Sequence, residues 1–401
     1  MLNRKKMQAL KLSKFTLTSA LGRGVEAQWQ ALQAEQSGLR ACDFDDCDLP
    51  AWIGRVEGVE SNPINGSLAP HDGLNNRLAA IGLEQDGFAA AVQAAAERYG
   101  SDRIGVFIGT STSGIYQTEL AYRNLDPETG RLPDDFIYQH SQNCYSVGDY
   151  VRSHLKLNGP ALVISTACSS SAKVFASASR YIESGLIDAA VVGGVDSLCL
   201  TTLYGFSSLQ LVSPDPCRPA DVQRNGISIG EAAGFALLEK AAAGDGEIAL
   251  LGYGESSDAY HMSSPDPEGR GAAMAMRSAL QRAGLSTADV DYINLHGTAT
   301  PANDLSEGRA VVQIFGEATP CSSTKGWTGH ALGAAGIAEA IFCALAIEHD
   351  YMPRSLNTTE LDPEIPNRIL LESQSQSVRA ALTNSFGFGG SNCSLILGRC
   401  T

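Results

Sequence analysis

Ala161-Leu162-Val163-Ile164-Ser165-Thr166-Ala167-Cys168-Ser169-Ser170-Ser171 is the stretch from which the fold of this chain is read. Four apolar residues in a row predict a buried strand. The run Ala172-Lys173-Val174-Phe175-Ala176-Ser177-Ala178, rich in small residues, predicts a helix directly after it. Cys168 therefore falls at a strand-to-helix turn. Sulfur in that position faces a helix N-terminus, whose free N–H groups and dipole favour thiolate over thiol. Taken alone, a buried structural cysteine is the plainer reading. The segments further along the chain decide between the two.

Further strand-like runs end in glycine or small polar residues: Arg103 to Gly109, Ala189 to Gly194, Asp291 to His296 and Ala380 to Ser385. Helical stretches lie between them, at Gly87 to Tyr99, Ala272 to Ala283 and Gly336 to Glu348. Apolar strands alternating with helices predict an α/β fold in which helices cover the sheets. Chemistry gathers at the C-terminal ends of such strands, where Cys168 and His296 both fall. Gly114 to Asp149 and Ser207 to Gly230, with their prolines, read as irregular excursions. Ala241 to Glu247 reads as a seam between two halves, 1–243 and 244–401. No internal repeat stands out in the sequence.

The 401 residues carry 29 basic and 44 acidic side chains, a net charge of −15, which argues against broad nucleic-acid binding. No run of about 18 apolar residues is apparent, so no membrane span is expected. The basic start, Met1 to Met7, lacks the apolar stretch of a signal peptide. Ten cysteines without a CxxC pair read as reduced thiols of a cytoplasmic protein. No histidine spacing suggests a metal site. His71, His140, His154, His261 and His349 read as structural or solvated.

Three more segments stand out. His296 opens His296-Gly297-Thr298-Ala299-Thr300-Pro301 at a strand end. Lys325 and His330 sit in Ser323-Thr324-Lys325-Gly326-Trp327-Thr328-Gly329-His330-Ala331-Leu332-Gly333-Ala334-Ala335-Gly336, where glycine and alanine let backbone close around two polar side chains. A helix starting after His330 disfavours its imidazolium and leaves a neutral hydrogen-bond donor. Asn384-Ser385-Phe386-Gly387-Phe388-Gly389-Gly390-Ser391-Asn392 sets two phenylalanines among glycines, so its N–H groups can approach a ligand.

Together these segments closely resemble the β-ketoacyl-acyl-carrier-protein synthases, the elongating condensing enzymes of thiolase fold. Asp258-Ala259-Tyr260-His261-Met262 and Gly230-Glu231-Ala232-Ala233-Gly234 share the likeness, which runs from about Leu17 to Gly398. The resemblance implies a thiolase-like fold, with two pseudo-duplicated α/β halves in a five-layered αβαβα arrangement. The first half would carry the nucleophile and the second the two histidines. It implies that Cys168 takes an acyl chain from a carrier-protein thioester, with the N–H groups of Cys168 and Phe388 as oxyanion hole. His296 and His330 would hold the malonyl thioester carbonyl during decarboxylation. Lys325 would be the family's lysine and Glu307 its ion-pair partner. Thr298, Thr300 and Ser264 would contact the pantetheine arm. Phe388 would act as a gate with Phe386 beside it, and Thr112 would lie at the floor of the acyl pocket.

No metal and no bound cofactor are implied, because the phosphopantetheine arm arrives on the acyl-carrier protein. The expected partners are that carrier protein and a second subunit, in a homodimer or a heterodimer through residues 100 to 200. Cys168 would be the one thiol of the ten to alkylate rapidly. An alternative is the active subunit of a heterodimer with a non-catalytic chain-length partner. A degradative thiolase, which uses a second cysteine as base in place of one histidine, fits less well, since His330 stands in its Gly-His-Ala-Leu-Gly setting. The likeness is weaker at Leu12 to Gly22, where the family's glycine-rich start is missing. It is weaker also at Arg224-Asn225-Gly226-Ile227, where the family has phenylalanine last. Arg77 reads as a docking residue for carrier protein or as a solvated surface charge.

Overall fold

Ala189–Asp196 shows how the sheet is made: all eight residues are buried, seven of them alanine, valine or glycine. A strand covered by helices on both faces needs that composition. The computed structural model describes residues 6–242, 244 and 246–400. Residues 1–5 of the basic N-terminal segment, and Ala243 and Asp245 of the predicted seam, lie outside the described residues.

The strands that build the core are β1 (Leu10–Ser19), β2 (Ile104–Gly109), β3 (Ala161–Ile164), β4 (Ala189–Asp196), β5 (Ala232–Lys240), β6 (Ile248–Ser257), β7 (Tyr292–Asn294), β8 (Cys321–Ser322), β9 (Ala380–Gly387) and β10 (Ser391–Arg399). The first five lie in the order β1-β5-β4-β2-β3 and the second five in the order β6-β10-β9-β7-β8. In each set the pairings run antiparallel, antiparallel, parallel, parallel. The duplication that the sequence hides is therefore plain in the backbone. The two sets meet at β1 and β6, which pair antiparallel at Leu10–Leu250 and Lys11–Ala249.

Helices complete the layers. They are α1 (Leu74–Leu83), α2 (Phe88–Tyr99), α3 (Tyr145–His154), α4 (Ser170–Glu183), α5 (Arg270–Ala283), α6 (Pro301–Phe315) and α7 (Ala335–His349). α4 and α7 pack on one another between the two sets of strands. α1 and α3 cover the first set from outside, and α5, with α6 against it, covers the second. This is the thiolase-like αβαβα arrangement. Every residue from Ala335 to Ile347 is buried, so α7 is apolar all round, as a central helix must be. Leu332–His349 is in fact long and apolar enough to cross a membrane, contrary to the sequence reading, but 89% of it is buried inside the fold. α4 and α7 touch at backbone level. A Cβ on Gly336 would lie 2.6 Å from the Ala172 nitrogen, so only glycine fits.

The predicted strands and helices are present, most with ends shifted by a residue or two, while the helix predicted over Ala172 to Ala178 runs on to Glu183. The excursion after β2 holds more order than expected: Ile115–Arg123 is helical, and α3 begins inside it at Tyr145. Ser207 to Gly230 folds back on itself. Ile227 N–H donates to Leu211 O (2.7 Å) and Ser213 N–H to Ile227 O (2.9 Å).

Candidate active site

Cys168 sits between β3 and α4, two residues before the helix starts. The turn requires Ala167 to take a left-handed conformation, φ +52°, which a residue with a Cβ holds only under constraint. Hydroxyl groups supply the constraint. Thr166 N–H donates to Ser170 Oγ (2.9 Å), and Ser169 Oγ donates to Thr166 O (2.9 Å). That is the local reason for serines around the cysteine. The Gly387 backbone lies against the turn: a Cβ there would meet Thr166 O at 2.6 Å and Cys168 N at 3.3 Å.

The two histidines come from the other set of strands. His296 follows β7, and His330 lies between β8 and α7. Their rings meet edge to face at 5.3 Å. His330 Nε2 is 3.1 Å from Cys168 Sγ. Its Nδ1 accepts the Leu332 N–H at 3.2 Å, so the ring proton is on Nε2. His296 Nδ1 lies 3.3 Å from Lys325 Nζ, which can only donate, so His296 also carries its proton on Nε2. Cysteine sulfur and the imidazole nitrogens gather within 4.8 Å, a spacing open to metal ligation. With both Nε2 atoms protonated, the pair forms a set of hydrogen-bond donors rather than a ligand set.

Burial holds both imidazoles well below their usual range, and the Lys325 charge adds to it. They stay neutral. Cys168 departs from the sequence reading. Burial pushes its thiol up to about 12, with the Lys325 charge pulling the other way. At 6% exposure, loss of hydration outweighs the helix N-terminus. The resting form is the thiol, and His330 Nε2–H is placed to stabilise charge only as it develops on sulfur. Nor does Cys168 stand alone in accessibility: Cys144 is exposed and Cys42 and Cys47 are half-buried, whereas Cys168 is buried.

Lys325 is fully buried, and its partner is Glu339 of α7, not Glu307. Burial lifts the Glu339 carboxyl to about 7 against the pull of Lys325. Glu307 has another task. It accepts the backbone N–H of His296 and of Gly297, both at 2.8 Å, and the Asn384 amide at 3.1 Å. It therefore fixes the loop carrying His296. Distance along the chain explains the exchange: α6 brings Glu307 under the loop, whereas α7 carries Glu339 past the ammonium.

A cavity of about 270 Å³ opens onto Cys168, His296 and His330. Thr298, Thr300 and Ser264 line it, as do Phe386 and Phe388. Phe386 packs on His296 at 5.9 Å and Phe388 on Phe206 at 5.7 Å. Phe388 is 36% exposed, so it stands at the mouth. Phe206, Leu211 and Ile227 were not among the expected site residues, yet they form part of the wall. Thr112 is buried but is not part of this wall. Its N–H (2.9 Å) and hydroxyl (2.8 Å) both donate to Asp196. Elsewhere, His71, His140 and Asp149 converge within 4.8 Å, although their spacing hides it. The Arg152 guanidinium already neutralises that carboxylate at 2.9 Å. Arg77 is bound by Asp72 through two contacts of 2.6 Å.

This nucleophile with two neutral imidazole donors, seated between duplicated αβ halves, defines a condensing enzyme of the thiolase-like fold. Residues 15–243 match the family described as Beta-ketoacyl synthase, N-terminal domain, and residues 248–359 its C-terminal domain. The chain belongs to the β-ketoacyl synthases. It is 34% identical to the mitochondrial 3-oxoacyl-[acyl-carrier-protein] synthase of Arabidopsis thaliana, across 95% of this chain and 91% of that protein. It is 35% identical to 3-oxoacyl-[acyl-carrier-protein] synthase 2 of Rhizobium meliloti, across 96% and 97%. Among solved structures it resembles a chain of the ketosynthase ApeO in complex with its chain length factor ApeC from Xenorhabdus doucetiae. The TM-score is 0.88 at 40% identity, covering 98% of both chains. It also resembles the ishigamide ketosynthase/chain length factor, with a TM-score of 0.87 at 29% identity, covering 98% of this chain and 99% of that one.

Proposed function

We propose that this protein condenses a malonyl-acyl-carrier protein with an acyl chain held on Cys168, giving a 3-oxoacyl-acyl-carrier protein two carbons longer. The observation that carries this reading is the approach of His330 Nε2 to Cys168 Sγ at 3.1 Å, with His296 facing the same cavity. In the first step, sulfur bonds to the acyl carbonyl carbon and the bond to the pantetheine sulfur breaks. The thiol proton ends on the departing pantetheine thiol. The N–H groups of Cys168 and Phe388 would hold the carbonyl oxygen as it becomes negative.

In the second step, the bond to the malonyl carboxylate breaks and carbon dioxide leaves. The electron pair moves onto the thioester oxygen, where the Nε2–H groups of His296 and His330 meet it. The resulting carbon attacks the acyl group, and Cys168 leaves as thiolate and regains a proton. Lys325 holds His296 in its donor tautomer, and Glu339 holds the Lys325 side chain in place. Thr298, Thr300 and Ser264 would take the pantetheine arm, which comes with the carrier protein, so no resident cofactor enters. Phe388 would gate the mouth with Phe386 behind it. The chain would divide into halves 1–243 and 244–401, a reading supported by the repeated strand order. A cytoplasmic location fits its ten unbridged cysteines.

A second reading concerns assembly. Two of the solved structures it resembles are described as a ketosynthase with a chain length factor. This supports an active subunit paired with a non-catalytic relative, as an alternative to a homodimer. β3 lies at the edge of the sheet, half-buried although all four of its residues are apolar. An edge of that kind calls for a partner.

Mass spectrometry tests the reaction. Acyl-carrier protein should add an acyl group to Cys168, and malonyl-carrier protein should then release a chain two carbons longer. Acylation elsewhere, or no uptake by Cys168 in the presence of either kind of partner, would refute the proposal.

A further inference from the structure

Asp196 closes β4, whose other residues are apolar or glycine, and its side chain is completely buried. Neutral donors surround its carboxylate. Oδ1 accepts from Thr110 Oγ1 (2.6 Å), Ser111 N–H (2.8 Å), Thr112 N–H (2.9 Å) and Thr112 Oγ1 (2.8 Å). Oδ2 accepts from Ser111 Oγ (2.6 Å) and Gly333 N–H (2.6 Å). The first group belongs to the loop after β2. Gly333 belongs to the turn between His330 and α7. One carboxylate thus ties two loops from opposite sets of strands.

The turn it reaches is strained. Leu332, buried, sits at φ +50°, a left-handed conformation unfavourable for leucine. The same residue donates its N–H to His330 Nδ1. The two peptide N–H groups that flank the Leu332 Cα are therefore both engaged: that of Gly333 is anchored by Asp196, and that of Leu332 is spent on His330 Nδ1. Fit is tight around it, since a Cβ on Gly333 would stand 2.7 Å from Asp196 Oδ2.

We propose that Asp196 is a positioning residue for His330: through Gly333 it holds the left-handed Leu332 turn, and so keeps the His330 proton on Nε2, facing Cys168. It acts on no substrate itself. Because it also gathers Thr110, Ser111 and Thr112, the loop after β2 and the imidazole are set in place together. The consequence for turnover rests on the condensation proposed above, whereas the tautomer does not.

Asp196→Asn tests it. The amide keeps the volume but replaces one acceptor oxygen with a donor, which cannot receive both Gly333 N–H and the Ser111 groups. Nitrogen-15 NMR of labelled histidine, with His330 assigned by its loss in His330→Asn, should show the Nε2–H tautomer in the natural protein. Asp196→Asn should show a substantial Nδ1–H population. Decarboxylation by the acylated variant should fall roughly ten- to hundredfold in kcat, the range for partners one shell out, with little change in KM for malonyl-carrier protein. Acyl uptake by Cys168 should persist. Ser111→Ala removes one donor to Asp196 and the longer contact of Gly333 N–H with Ser111 Oγ (3.3 Å), but leaves the bond from Gly333 N–H to Asp196. It should move both readouts the same way by less, and it serves if Asp196→Asn does not fold. An unaltered His330 tautomer in a folded Asp196→Asn protein would overturn the assignment. So would a loss confined to KM. A natural protein with the Nε2–H tautomer but without condensation would count against the proposed function alone.

Discussion

His330 and His296 act as neutral donors because they are buried beside a cation, and this has measurable consequences. His330→Ala should slow decarboxylation about 10²- to 10³-fold, as expected for the loss of one oxyanion donor. Acyl uptake should survive, because its donors are backbone. A folded variant unable to take up acyl groups would show that His330 serves the first step instead. The pH dependence follows from the sign of the shifts. Both imidazoles titrate well below the ordinary value in the folded chain, and burial is the main cause. Their contribution to stability is fully present above about pH 6.5, the unfolded value, and is lost as pH falls toward the folded one. Their part of the stability should decline below pH 6.5 by up to about 1.4 kcal/mol per pH unit for each. Set against it are Glu339, Glu307 and Glu231, whose buried carboxyls, lifted to about 7, act with the opposite sign in the same window. Denaturation midpoints at pH 5 to 7 should show a shallower slope in His330→Asn. A pH slope left unchanged by His330→Asn would contradict the account. Cys168, His296, His330 and Lys325 were all legible in the sequence, since each lies in a segment with its own pattern. Glu339 was not, although a single acid in the otherwise apolar run Ala335 to Ile347 must find a buried partner. Asp196 left a similar trace, as the one charge closing an apolar strand.

At the scale of elements, α4 and α7 bring Cys168 and His330 to one point, and the loop after β7 brings His296 to it. Gly336 permits the contact. Gly336→Ala should destabilise the fold by about 1–3 kcal/mol, the usual range for overpacking, because the new carbon meets the Ala172 backbone and not a movable side chain. A lower urea midpoint checks this, and slower acyl uptake should accompany it, since Ala172 belongs to the first turn of the helix behind Cys168. A midpoint equal to that of the natural protein would mean that the helices separate freely. The strands and helices were readable because apolar runs and small-residue stretches announce them. The wall of the cavity was harder. Leu211 and Ile227 come from a segment whose prolines suggest mere irregularity, and only its return onto the Gly226–Ala299 backbone contact, 3.1 Å, brings it to the site, while Phe206 comes from the helix Leu200–Ser208 just before it. Ile227 stands there where phenylalanine was expected from the family, which leaves this wall without an aromatic ring at that point.

For the whole molecule, a partner should cover the edge of β3 and the segment following β2. Tyr122, Leu125, Ile137, Tyr138 and Tyr145 are all exposed in that segment. A cluster of large apolar side chains on one segment marks a binding face. Light scattering should report two chains, alone or with a related subunit. Ile137→Asp with Tyr138→Asp should shift the mass toward one chain while the circular dichroism spectrum is kept. A double variant that stays dimeric would place the interface elsewhere. The duplicated order of strands reached the sequence reading only through the family resemblance and not through any repeat, because the two sets share a pattern of pairing and not of residues.

The central position of α7 has a further consequence, for biosynthesis. The helix packs on β1, β4 and β5 of the first set as well as on β9 and β10 of the second. It leaves the ribosome only after some 330 residues have preceded it. Until then the early strands and α4 have nothing to fill the groove that α7 will occupy. The nascent chain must carry that open apolar surface through most of its translation, under conditions that favour aggregation. Splitting the chain between β5 and β6 should therefore leave each piece with half of a shared core.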